Sequence, residues 1–114
     1  MPHVVLRHSN NLSNCDFVPL FKKLHELMVN SLGVKLTSCS SMVIPHTQYL
    51  IGDGDSNNAF IHLEIKVKPY IGKKSLDQTG ERSLEMLKDY MVGYDMFKIK
   101  MSVDCLVVSE HFKS

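Results

Sequence analysis

The chain has 114 residues, of which 44% are hydrophobic and 22% charged, values far from the low-hydrophobicity, high-charge corner of disordered chains; at this length a single domain over residues 1–114 is expected. Thirteen Lys and Arg against twelve Asp and Glu leave a formal charge of +1, which creates no global field to hold a polyanion and argues against nucleic acid as a partner. Apolar runs such as 103–108 fall far short of the roughly 20 residues of a membrane span, and residues 1–8 lack the zones of a signal peptide, so a cytoplasmic protein away from membranes is expected.

The segment His3 to His8 alternates His3, Val5 and Arg7 with Val4, Leu6 and His8, which predicts a strand starting almost at the terminus. From Asp16 onward Leu20, Phe21, Leu24, Leu27 and Met28 recur at helical spacing. Asp16 or Asn14 suits the N-cap, Pro19 the first turn, and Gly33 the stop. Residues 38–44 read as a strand with an irregularity at Pro45 and, beyond Gln48 to Ile51, a tight reversal at Gly52-Asp53-Gly54-Asp55.

The clearest strand is Asn58 to Lys68, where Ala59, Ile61, Leu63, Ile65 and Val67 alternate with Phe60, His62, Glu64, Lys66 and Lys68. Ser75-Leu76-Asp77-Gln78 has the form of a capping box and predicts a helix from there to about Val92, with Gly93 as its stop. Residues 99–108 alternate again as a closing strand. The order is strand, helix, strand, repeated once: an α+β fold of two β-α-β units, forming a four-stranded sheet with two helices on one face. The other face is left to water or another subunit.

The six histidines lack the i, i+4 spacing and the cysteine partners of a metal site, so no metal is expected. Cys15, Cys39 and Cys105 are odd in number and widely spaced and read as free thiols, with nothing nearby to mark a cysteine–histidine nucleophile pair. Gly52 to Asp55 has neither the ligand spacing of a calcium loop nor the strand-to-helix context of a phosphate loop, and reads as a turn. Lys66, Lys68, Lys73 and Lys74 form a local basic cluster, either a solvated strand end or a seat for a carboxylate.

Pro2 is the remaining candidate. Removal of Met1 would leave its nitrogen a free secondary amine held at the head of a strand. A free α-amino group titrates near pH 8, and a cationic or low-dielectric pocket lowers that toward neutrality, as a general base requires. A penultimate proline is also common in chains where it does nothing.

Pro2-His3 opening a strand, Pro19-Leu20-Phe21 inside a helix, Tyr49-Leu50-Ile51-Gly52-Asp53-Gly54, Ala59-Phe60-Ile61-His62-Leu63 and Gly72-Lys73-Lys74-Ser75-Leu76-Asp77 occur in one order along the chain. In that ordered set the chain resembles, over nearly its whole length, the 5-carboxymethyl-2-hydroxymuconate isomerases of the tautomerase (MIF-like) superfamily. The resemblance implies a homotrimer with pockets near subunit boundaries and no cofactor. It also implies a place in aromatic-compound catabolism, acting on a small 2-hydroxydienoate or 2-oxo dicarboxylate. In the implied reaction a proton moves from the 2-hydroxyl side of the dienol to a distant carbon, carried by Pro2 as the catalytic group.

The resemblance further implies arginines that bind substrate carboxylates. Their positions fall at Ser40, which has no charge, and at Lys74, with Lys73 beside it. Lysine keeps the charge but loses the planar bidentate fork, so carboxylate binding should be looser. Arg7, Lys35 and Lys73 are the cations available to compensate. Two alternatives follow: the same trimeric scaffold with an altered substrate, or a catalytically inactive binding or structural module.

Overall fold

Period-two alternation assembles four segments into one sheet: β1 (His3–Ser9), β2 (Ser40–His46), β3 (Asn58–Val67) and β4 (Lys98–Val107), in the spatial order β2-β1-β3-β4. The structure, a computed structural model, describes residues 1–109, 111 and 113. β1 runs parallel to β2 with His3 opposite Ser40, and β3 runs parallel to β4 with Asn58 opposite Lys98. The central pair, β1 and β3, is antiparallel, with His3 opposite Lys66. Parallel neighbours need a long crossover, supplied by α1 (Val18–Leu32) and α2 (Lys73–Tyr90). The two expected β-α-β units are therefore present.

One face of the sheet carries the core. Val4 and Leu6 of β1 and Ala59, Ile61, Leu63, Ile65 and Val67 of β3 are buried in one cluster with Leu20, Leu24 and Met28 of α1 and Leu87 of α2. Each large apolar side chain removed from water contributes about 1.5–3 kcal/mol. The opposite face holds half-buried His3, Val5, Arg7, Phe60, His62, Glu64 and Lys66. Among the described residues no helix is long and apolar enough to cross a membrane.

The helix ends follow the sequence signals unevenly. α1 stops at Gly33, whose φ of 68° is left-handed and whose N–H donates to the Val29 carbonyl. The N-cap of α1 is Phe17, one residue past the expected Asp16, whose Oδ1 accepts from the first helical N–H, that of Val18, at 3.0 Å. α2 departs from the prediction at both ends. It starts at Lys73 with extended Gly72 at the cap and no side-chain capping bond. Ser75 lies inside the first turn, where its carbonyl accepts from the Thr79 hydroxyl at 2.7 Å. Two good helix formers, Lys73 and Lys74, extend the helix ahead of the apparent capping box. At the far end Met91 is the C-cap, and Gly93 falls inside the 3-10 turn Val92–Tyr94 without a positive φ.

Pro45 does not break β2, which continues to His46. The bond from Ser40 N–H to the Pro2 carbonyl, 3.2 Å, turns the even-numbered backbone groups of β2 toward β1. The missing N–H of Pro45 therefore faces the free edge, where no ladder bond is lost. The reversal after β2 is a turn, as expected. Gly52 and Gly54 take φ of 55° and 81°, and Asp53 Oδ1 accepts from the Asp55 N–H and from Asn58 Nδ2, both at 3.0 Å.

Candidate active site

The connections bring one end of the sheet together around Pro2. β1 starts there, β3 finishes there opposite His3, β2 starts there, and the link from β3 delivers the first turn of α2 to the same end. Pro2 is buried. Its carbonyl accepts from the Ser40 N–H, and the ammonium of Met1 donates to the Ser38 carbonyl at 3.0 Å. His3 Nδ1 and Ser40 Oγ are hydrogen-bonded. Ser40, expected beside a substrate, thus sits next to Pro2 with its hydroxyl already engaged.

Lysines gather at this end: Lys35 before the 3-10 turn Leu36–Ser38, Lys66 at the end of β3, Lys68 after it, and Lys73 and Lys74 in the first turn of α2. Lys73 Nζ donates to Asp77 Oδ2 at 2.8 Å, and this bond and the charge of Asp77 push the ammonium pKa up. Its charge is compensated within the helix. Lys74 is exposed and makes no ion pair among the described residues. No acidic residue occupies the first turn of α2, so Lys74 adds to the positive end of the helix dipole. That placement does nothing for the helix, whose N-terminus favours anions.

Arg7, read as a compensating cation, is elsewhere. It lies four residues along β1 from His3, about 13 Å at strand rise. There its Nε donates to Glu64 Oε1 at 2.7 Å, and a guanidinium nitrogen lies 3.4 Å from His46 Nε2. The bond from Arg7 holds the Glu64 carboxyl below its ordinary pKa, against burial.

A cavity of 540 Å³ opens between α2 and β4, lined by Lys73, Leu76, Gly80, Leu84, Asp104 and Cys105, with Pro2 outside that lining. Burial, followed by the charges of Asp104 and Asp77, raises the Cys105 thiol pKa. Burial likewise raises those of Cys15 and Cys39. All three thiols are therefore poorer sources of thiolate than an exposed cysteine, which argues against a cysteine nucleophile. Two contributors here escape sequence reasoning. The Ser38 carbonyl is a backbone group with no signature, and His3 is marked only by its adjacency to Pro2.

Solved structures share this fold. A 5-carboxymethyl-2-hydroxymuconate isomerase from Deinococcus radiodurans R1 superposes with a TM-score of 0.87 at 18% identity, covering 99% of this chain and 88% of that one. A macrophage migration inhibitory factor from Oncomelania hupensis gives 0.71 at 13% identity, covering 100% and 78%. A fused 4-OT described as a symmetric trimer gives 0.68 at 13% identity, covering 98% and 95%. At these identities the likeness establishes the fold, which is the tautomerase/MIF-like one. No curated protein matches the sequence. The family model for 5-carboxymethyl-2-hydroxymuconate isomerase matches residues 2–113, from the proline that heads β1 to the last described residue, and the chain belongs to that isomerase family.

Proposed function

We propose that the chain, once freed of Met1, is a cofactor-free tautomerase that converts a small 2-hydroxydienoate into its conjugated 2-oxo isomer, with Pro2 as proton carrier. The observation that carries this reading is the burial of Pro2 at the sheet end where Lys74 and the positive end of α2 also lie. The neutral amine accepts a proton from the substrate's 2-hydroxyl side and returns it to the distant carbon, so no net proton is gained or lost. Nearby cations disfavour the protonated amine and bring its pKa toward neutrality. Lys74 anchors a substrate carboxylate, with Lys73 beside it and tied to Asp77. A homotrimer, as in the fused 4-OT, would close the pocket with a second subunit.

A second reading has its own support. Ser40 is uncharged and its hydroxyl is bonded to His3, which favours the same scaffold acting on a less anionic substrate. Intact mass of untagged protein, followed by ultraviolet absorbance during ketonisation of mono- and dicarboxylate 2-hydroxydienoates, decides between them. Processed protein should turn over a dicarboxylate, and blocking the Pro2 amine should remove about 10²–10⁴-fold of the rate. Turnover confined to monocarboxylates would move the assignment to the second reading. Processed protein without turnover would end both.

A further inference from the structure

We propose that the Ser38–Ser40 segment is a clasp that aims the processed Pro2 amine, with Ser40 acting as a positioning residue through His3. The inference rests on the proline-amine reading above. In a parallel ladder, successive bonds repeat every two residues. The ladder opens with Ser40 N–H bonded to the Pro2 carbonyl and His3 opposite Ser40, and the Ser38 carbonyl, at the end of the 3-10 turn just ahead of it, is offered to the amino end of the chain. That carbonyl already takes the Met1 ammonium at 3.0 Å. It is also fixed in place, because the Ser38 N–H and hydroxyl both bond the Lys35 carbonyl, at 3.0 and 2.7 Å.

The chemistry of a secondary amine makes this seat selective. Neutral proline nitrogen has one N–H and one lone pair. Giving the N–H to Ser38 O leaves the lone pair for incoming substrate. Ser40 holds the same dipeptide twice, at the Pro2 carbonyl through its backbone and at the His3 ring through its hydroxyl. Losing the hydroxyl leaves the backbone bond and removes the Ser40 contact to the His3 ring.

The test compares Ser40→Ala and Ser40→Thr in Met1-free protein. Ser40→Ala should lower kcat about 10- to 100-fold, the scale of a small misplacement of a reacting group, with KM within about twofold. Ser40→Thr should restore kcat. The His3 ring-nitrogen resonances should move in Ser40→Ala and not in Ser40→Thr, and alkylation of Pro2 by an electrophilic alkynoate, read by mass, should slow in parallel. A raised KM at unchanged kcat would make Ser40 a substrate contact and overturn the clasp, as would resonances and alkylation that do not move. The last two measurements need no turnover, so they judge the clasp even if the isomerase reading fails.

Discussion

The two helices lie against the same sheet but are fixed to it by different means. α1 buries Leu20, Phe21, Leu24, Leu27 and Met28, whereas the buried residues of α2 are Thr79, Ser83 and Leu87. α2 packs Leu76, Met86 and Tyr90 only half-buried against the core, and adds close approach and polar contacts. Gly80 stands where a Cβ would come 3.4 Å from Cys105 Sγ, and the Thr79 hydroxyl bonds Ser31 of α1 at 2.8 Å. The first unit thus carries more of the apolar stability, and the second carries four of the five lysines gathered at the Pro2 end of the sheet. A protein divided in this way can change the first turn of α2 with little cost to folding.

The largest effect should come from the first unit. Leu24 is fully buried, and Leu24→Ala should cost about 2–5 kcal/mol in urea unfolding through lost transfer energy and a residual cavity. In the second unit Thr79→Val removes the partner of Ser31 and should cost about 1–2 kcal/mol. Equal losses at the two sites would erase the contrast between the helices. Ser83 Oγ is buried without a hydrogen-bond partner among the described residues. Ser83→Ala should therefore leave stability unchanged or raise it by up to about 1 kcal/mol, by relieving that desolvation and improving helix propensity. A loss there would mean that the hydroxyl has a partner.

The smallest effect is a pH slope. Burial holds the His25 imidazole of α1 below its ordinary pKa, with Nε2 2.7 Å from Ser41 Oγ of β2. The unfolded chain therefore binds a proton at His25 at a higher pH than the folded one. The contribution of the neutral ring is complete above about pH 6.5 and is lost as pH falls toward the lowered folded value. His25→Gln should flatten the stability curve below pH 6.5. An unchanged slope would assign the acid sensitivity to another group.

Much of the architecture was legible because the decisive signals are local. Ala59 to Val67 alternates without a fault, and Gly33 closes α1 where no side chain would sit easily. The errors arose where one local rule competed with another. Ser75 to Gln78 satisfies the form of a capping box, yet Lys73 and Lys74 prolong the helix past it, and Gly72, with no side chain to offer, takes the cap. At the candidate site the ordered motifs pointed to Pro2, Ser40, Lys73 and Lys74. The commitment of Arg7 to Glu64 across β1 and β3, and of Lys73 to Asp77, depends on register and rotamer, which spacing does not encode. The Ser38 carbonyl was invisible for a simpler reason, since every residue has one.

Pro45 has a consequence for how this protein behaves at high concentration. Along the outer margin of β2 only Ser41 and Val43 offer N–H groups before the proline leaves a blank. A strand from another molecule can therefore add over a few residues and then finds no donor to continue. Short, specific pairing between subunits remains open, while runaway stacking of sheet upon sheet is cut off within one rung or two.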